Sequence, residues 1–145
     1  MPCFIAHSVV DGVDSTANRK NAILKGFTKA VELANAINGT ILIVLPSIQN
    51  VRNGVLADAL GAELAKHLEK PNPFQIGKIT ISRIASRQIP VSIQANTVVW
   101  MVHPQLITAE AVTKVCSAST NIIATEWVPF DELKRWRTDN HAKVI

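Results

Sequence analysis

The stretch Thr40–Leu45, with the sequence TILIVL, decides the fold class of this chain. Five aliphatic residues follow one another there without a polar side chain between them. A continuous apolar run of this kind is typical of a strand that is buried on both faces, as the strands of a parallel sheet are. The run therefore predicts a central strand, and Pro46 ends it because proline cannot donate a ladder hydrogen bond.

Helices are predicted on either side of this strand. Apolar side chains spaced three and four apart predict one over Ala17–Ile37. A polar residue of the segment 14–16 can cap it, and Asn38-Gly39 ends it because both residues tolerate left-handed backbone. Leucines at every fourth position predict a second helix over Val55–Leu68.

Four further stretches predict strands: Cys3–Val10, Lys78–Ile84, Thr97–Val102 and Asn121–Val128. The stretch Lys78–Ile84 alternates in polarity, which is typical of a strand with one polar side and suggests an edge position. Residues 85–96 have no clear period and fit either a short helical crossover or an irregular loop. A tight connection there would make the two flanking strands antiparallel, so their relative direction stays open.

The last two predicted helices are Ala109–Ser117, with Thr108 as its cap, and Asp131–Asn140, with Trp136 facing the core. Strands that alternate with helices predict a three-layer α/β sandwich, Rossmann-like or flavodoxin-like. We expect about five mostly parallel strands with helices on both faces, in a single domain spanning residues 1–145.

Composition excludes several classes of protein. Hydrophobic residues make up 48% of the chain and charged residues 18%, which argues against disorder. The two cysteines, Cys3 and Cys116, are too few for a disulfide framework and are expected to be reduced and buried. No basic leader and no apolar run of the ~18–20 residues that a membrane span needs are visible. A cytoplasmic protein without a membrane partner is therefore expected.

The positive charge of the chain is weak and scattered. The formal net charge is +4, and the one local concentration of basic residues lies at Lys134–Arg137. A basic helix face is more typical of a solvated surface, so nucleic acid is a disfavoured partner.

Several sequence motifs are absent. The chain has no GxGxxG, no P-loop, no GxSxG nucleophile elbow, no HExxH and no cluster of Cys and His. No cofactor and no metal are predicted.

Polar side chains just past the predicted strands mark the expected site, because ligands of open α/β sheets bind outside the carboxyl ends of the strands. The expected catalytic residues are His103, Glu126 and Asp11. The expected ligand-binding residues are Ser8, Ser15, Ser47, Asn50 and Arg52.

Each of these residues also has a structural interpretation. Aspartate and serine after a strand commonly serve as turn or cap residues, and Asn50 and Arg52 fit a solvated loop. His103 is either a general acid or base or a packing residue. Glu126 lies inside an apolar strand and needs a partner, either a substrate or a basic side chain.

The sequence is compatible with three functions. The first is a domain that binds a nucleotide-like or other anionic small molecule, with two helix N-termini as natural anion sites. The second is a hydrolase or glycosyl-transfer enzyme that uses Glu126, His103 and Asp11. The third is a homo-oligomeric interaction module without catalysis, built on the edge strand and exposed tryptophans.

Overall fold

The structure, a computed structural model, describes residues 1–47, 54–127 and 131–145. Its strands are β1 Cys3–His7, β2 Val9–Val10, β3 Val13–Asp14, β4 Thr40–Leu45, β5 Phe74–Ile76, β6 Ile79–Ala85, β7 Thr97–Val102, β8 Ile122–Glu126 and β9 Lys143–Val144. Its helices are α1 Thr16–Ile37, α2 Val55–Leu60, α3 Ala62–Leu68, α4 Leu106–Val115 and α5 Lys134–Asp139. No helix in these ranges is both long and apolar enough to cross a bilayer.

Seven of the described strands form one sheet in the order β5-β6-β4-β7-β8-β1-β9. β5 runs antiparallel to β6, and every other neighbouring pair in this sheet is parallel. The predicted α/β fold with a mostly parallel sheet is therefore confirmed. The sheet has more strands than expected because β5 and β9 are too short to leave an apolar run in the sequence.

Two separate hydrophobic cores cover this sheet. Ile41, Ile43 and Leu45 of β4 pack into one core with residues of α1, α2 and α3. Val44 of the same strand packs into the other core with residues of α4 and α5. Alternate side chains of a strand point to opposite sides, so neighbouring residues of β4 meet different groups of helices.

The predicted strand Lys78–Ile84 corresponds to β6, which is not at the edge of the sheet. β6 pairs in parallel with β4, and β5 folds back on its outer side through Gly77, which has a φ of 59°. Among the side chains of β6 that are buried, Arg83 is the polar one. Its Nε donates to the Leu68 carbonyl and its Nη2 to the Glu69 carbonyl, at 2.8 Å each. Arg83 therefore satisfies carbonyl groups at the end of α3 rather than facing solvent.

The first predicted strand is shorter than expected. β1 ends at His7, and β2 and β3 form an antiparallel hairpin of their own. Asp11 and Gly12 close this hairpin with φ of 52° and 76°. An Asp-Gly pair readily adopts this doubly left-handed turn, whose twist matches that of the strands it joins.

Three helix boundaries also differ from the predictions. The helix expected over Val55–Leu68 is interrupted at Gly61, whose φ of 93° cannot continue a helix. α4 begins at Leu106, so Thr108 lies inside the helix instead of capping it. α5 begins only at Lys134, after Asp131 with a φ of 43°.

The connection 85–96 is irregular. It contains no helix, and Ile93 bridges to Cys116 while its N–H donates to the Val115 carbonyl at 2.9 Å. Both β6 and β7 are parallel to β4, so they run in the same direction. The prediction for Trp136 is confirmed, because it is buried in the second core.

Candidate ligand-binding cleft

A cleft of about 310 Å³ lies at the carboxyl ends of β4, β6 and β7. From β4 the chain continues to β6 on one side, and from β7 it continues to β8 on the other. The cleft therefore lies at a topological switch point, where open α/β sheets bind their ligands. Its lining residues are Val44, Leu45, Pro46, Ser86, Val102, His103, Pro104, Gln105, Thr108 and Trp127.

His103 is the titratable side chain of this lining. It follows β7 directly, and its backbone has a φ of 48°, a left-handed conformation that histidine adopts more readily than most residues but at some cost. Its Nε2 atom is buried and has no hydrogen-bond partner among the described residues. Burial, followed by the nearby charge of Arg19, lowers the pKa of His103 to about 4. The imidazole is therefore neutral at neutral pH.

Trp127 forms an aromatic wall beside His103. Its side chain is half-exposed at 48%, and its ring centroid lies 5.2 Å from that of His103. The guanidinium carbon of Arg19 lies 4.9 Å from the centre of the Trp127 ring. Arg19 is held in turn by Asp14, whose two carboxylate oxygens accept from Nε and Nη2 at 3.1 and 2.8 Å. The contacts with His103 and Arg19 therefore hold the exposed Trp127 ring in place.

A smaller cavity of about 190 Å³ adjoins the cleft and shares His103, Pro104 and Trp127 with it. Its other lining residues are Glu126 and Glu132. One carboxylate oxygen of Glu132 accepts from the backbone N–H of Leu106 at 3.3 Å. Glu132 therefore caps the N-terminus of α4 from a distant part of the chain.

Glu126 is buried, with 2% of its side chain exposed, and belongs to a chain of polar contacts with His7 and Arg137. Its Oε1 accepts from the Leu133 N–H at 3.0 Å, and its Oε2 lies 2.9 Å from Nδ1 of His7. Nη1 of Arg137 lies 3.2 Å from Nε2 of the same His7 ring. Because a guanidinium can only donate, His7 accepts at Nε2 and carries its proton on Nδ1, facing Glu126.

The contact between His7 and Glu126 is short but poorly directed. Nδ1 lies on the Glu126 side of the ring, but its N–H is not aligned with Oε2, so Oε2 has no well-aligned donor among the described residues. Burial alone raises the pKa of Glu126, but His7, the Leu133 N–H and the charge of Arg137 outweigh it and lower the pKa overall. The group stays ionised near neutral pH, and Oε2 keeps the capacity to accept another hydrogen bond.

The structure brings together only part of the residue set expected from the sequence. His103 and Glu126 line the same smaller cavity. Asp11 lies at the exposed tip of the β2–β3 hairpin and lines neither cavity. Ser47 is exposed just beyond Pro46, at the edge of the cleft, and Asn50 and Arg52 lie outside the described residues.

The two remaining serines have structural roles. Ser15 caps α1, since its Oγ accepts from the Asn18 N–H at 3.1 Å. Ser8 is fully buried, and its N–H donates to the Glu126 carbonyl at 3.3 Å. Neither serine lines the cleft or the smaller cavity.

Sequence reasoning missed two residues around the cleft, whereas the carboxyl-end rule already places Trp127, near the end of the last predicted strand, among the candidates. Ser86 directly follows β6, but the direction of that strand was open. Arg19 left no signal, because its contact with Trp127 joins positions that are 108 residues apart in the numbering.

No protein-family model, no curated protein and no solved structure matches this chain. Within the described ranges, no group of three or more His, Cys, Asp and Glu side chains is arranged to hold a metal ion.

The low pKa of His103 predicts a loss of stability in mild acid. In the unfolded chain His103 binds a proton below its ordinary pKa of 6.5, whereas in the fold it does so only near 4. The unfolded state therefore binds more protons between these values, and we expect the free energy of unfolding to fall by about 2 kcal/mol from pH 7 to pH 5. Glu126 contributes little in this range, because its stabilising charge is lost only below the ordinary carboxyl pKa.

Urea denaturation at the two pH values measures this loss. In His103→Asn, which tolerates the left-handed backbone, the His103 contribution should disappear. His141→Asn is the matched control, since His141 also has a positive φ of 50° but is exposed, and it should keep the full pH dependence. An equal pH dependence in both variants would contradict the assignment to His103.

Proposed function

We propose that this chain binds a small molecule that carries a planar ring, nucleoside-like or nucleotide-like, in the cleft beside Trp127. The observation that carries the proposal is the half-exposed Trp127 ring, held by Arg19 at a switch-point cleft. An aromatic side chain that is already held in place loses little conformational freedom when a planar ring stacks on it, so the entropic cost of binding is low. The volume of about 310 Å³ lies at the lower end of the range for small-molecule sites.

The electrostatics of the site support binding over acid–base catalysis. The hydrolytic alternative draws support from one observation, that His103 and Glu126 line the same cavity. A general acid at neutral pH must be protonated, and the lowered pKa of Glu126 works against that. His103, with a pKa of about 4, is a weak base at the same pH.

Tryptophan indole signals in proton–nitrogen correlation spectra offer a direct test. The chain has three tryptophans. Two are buried with their N–H groups bonded to threonine hydroxyls, Trp100 to Thr125 and Trp136 to Thr113. Titration with the four common ribonucleosides and their monophosphates should shift the Trp127 indole signal. The other two indole signals should stay in place.

Substitution of Trp127 separates binding in the cleft from binding elsewhere. Trp127→Ala should weaken the best ligand by about tenfold or more, since stacking of a base on an aromatic side chain is worth ~1–3 kcal/mol. Ile107→Ala is the matched control, because Ile107 is 74% exposed and does not line the cleft. Either no shift of Trp127 with any compound, or equal affinity in Trp127→Ala and the parent, would overturn the proposal.

A further inference from the structure

We infer that the inner end of this cleft selects ligands that present N–H or O–H donors, neutral or cationic, and rejects ligands that present an anionic group there. The inference rests on the proposed function and concerns the ligand class of the same site. It concerns the smaller cavity between His103, Glu126, Trp127 and Glu132.

The charged side chains that line the smaller cavity all have the same sign. Its lining among the described residues holds two carboxylates, those of Glu126 and Glu132, and no cationic side chain. Two described cations act on groups of this cavity, and both already have partners: Arg19 is paired with Asp14, and Arg137 is connected through His7 to Glu126 itself. A ligand anion would meet repulsion here without a free cation to offset it.

The helix ends nearby are occupied as well. The N–H of Leu106 at the start of α4 donates to Glu132, and the N-terminal turn of α1 is capped by Ser15. At these two N-termini, one of the N–H groups to which a phosphate or carboxylate could bind is therefore already hydrogen-bonded to a side chain of the protein.

Buried atoms without partners point to a donor-bearing ligand. Oε2 of Glu126 lacks a well-directed donor although the side chain is only 2% exposed, because its close neighbour Nδ1 of His7, at 2.9 Å, is not aligned with it. Nε2 of His103 is also buried without a partner among the described residues. Buried polar atoms are normally hydrogen-bonded, and a carboxylate can only accept. An amino, amidine or hydroxyl group in the cavity would supply the missing donor.

A series of three fragments tests this selection with the ring held constant. Benzamidine carries a cationic donor group, benzamide a neutral amide and benzoate an anion. We expect benzamidine to bind about tenfold more tightly than benzoate, with benzamide between them, as followed by the Trp127 indole signal at low ionic strength. If none of the three moves that signal, the ring-binding cleft itself is refuted. If benzoate binds as tightly as benzamidine, the cleft stands and donor selection is refuted.

Removal of the carboxylate charge tests the cause of the selection. Glu126→Gln keeps an acceptor for the Leu133 N–H, and the preference for benzamidine over benzoate should fall to about twofold or less. Glu110→Gln removes the same charge from an exposed residue outside both cavities and should keep the tenfold preference.

A second variant covers the case in which Glu126→Gln does not fold. Glu132→Gln changes an exposed residue at the mouth of the same cavity and keeps the acceptor for the Leu106 N–H. It should lower the preference about threefold. An unchanged preference in every folded variant of Glu126 and Glu132 would overturn the inference.

Discussion

Gly26→Ala is expected to destabilise the protein by about 3 kcal/mol, although the same change inside most helices is stabilising. Gly26 lies in α1 against β7 and β8, and a Cβ built on it would overlap Oγ1 of Thr125 and Nε1 of Trp100. Helix propensity favours alanine by only about 1 kcal/mol. Insertion of a methyl group into a packed core costs about 1–3 kcal/mol, and here it also disturbs a buried hydrogen bond.

That hydrogen bond explains why the site cannot easily relax. Nε1 of Trp100 donates to Oγ1 of Thr125 at 2.9 Å, and the Thr125 hydroxyl donates to the Ala22 carbonyl at 3.3 Å. A methyl group at Gly26 must separate α1 from the sheet or displace the indole. Urea denaturation gives the free energy of unfolding, with Lys25→Ala on the exposed face of the same helix as control, expected within ~0.5 kcal/mol of the parent. A Gly26→Ala protein as stable as the parent would show that α1 does not approach the sheet this closely.

Glu126→Ala is expected to cost about 3 kcal/mol of stability. The substitution leaves the Leu133 N–H without its acceptor and removes the carboxylate that faces His7. Loss of one member of a buried charged network is expensive, because the remaining polar groups stay desolvated without compensation. The effect should also shrink below the ordinary carboxyl pKa, since a group with a lowered pKa stabilises the fold only while it is ionised.

An exposed ion pair provides the comparison for Glu126. Glu110 lies 3.5 Å from Arg135, with 41% of its side chain exposed. Pairs of this kind contribute little, so Glu110→Ala should stay within ~0.5 kcal/mol of the parent in the same denaturation experiment. Equal losses for the two alanine variants would mean that Glu126 is solvated in the native protein.

The fold also bears on two other hypotheses drawn from the sequence, the homo-oligomer and the anionic ligand. The homo-oligomer hypothesis relied on an edge strand at Lys78–Ile84 and on exposed tryptophans. β6 is interior and Trp136 is buried, whereas Trp127 is half-exposed and the apolar composition is unchanged as an argument. The anionic part of the ligand hypothesis relied on Arg52, which lies outside the described residues, and on the N-termini of the first two predicted helices. That of α1 is capped by Ser15, whereas Gly54 at the start of α2 makes no side-chain cap hydrogen bond.

The candidate site was predicted in part, by one topological rule. His103 follows one apolar run and Glu126 lies near the end of another, and parallel strands bring their carboxyl ends to one edge of a sheet. Asp11 satisfied the same reasoning only because Val9 and Val10 were counted with the first strand. The Asp-Gly turn instead folds these residues into a separate hairpin, which carries Asp11 away from the cleft.

The sequence by itself determined the local elements with strong patterns. Thr40–Leu45 and Thr97–Val102 are strands with the predicted bounds, and α1 begins and ends within one residue of its prediction. These patterns can be recognised locally, because the spacing of buried side chains along the sequence differs between a helix and a strand.

Only the tertiary structure decided the order of the strands. β1 pairs with β8 and β9, which places His7 opposite Glu126 in the register. Apolar strands are interchangeable in composition, and the backbone ladders that pair them carry no side-chain signature. The contacts that define the site, from Arg19 to Trp127 and from Arg137 to His7, depend on this order, so no local pattern could have predicted them.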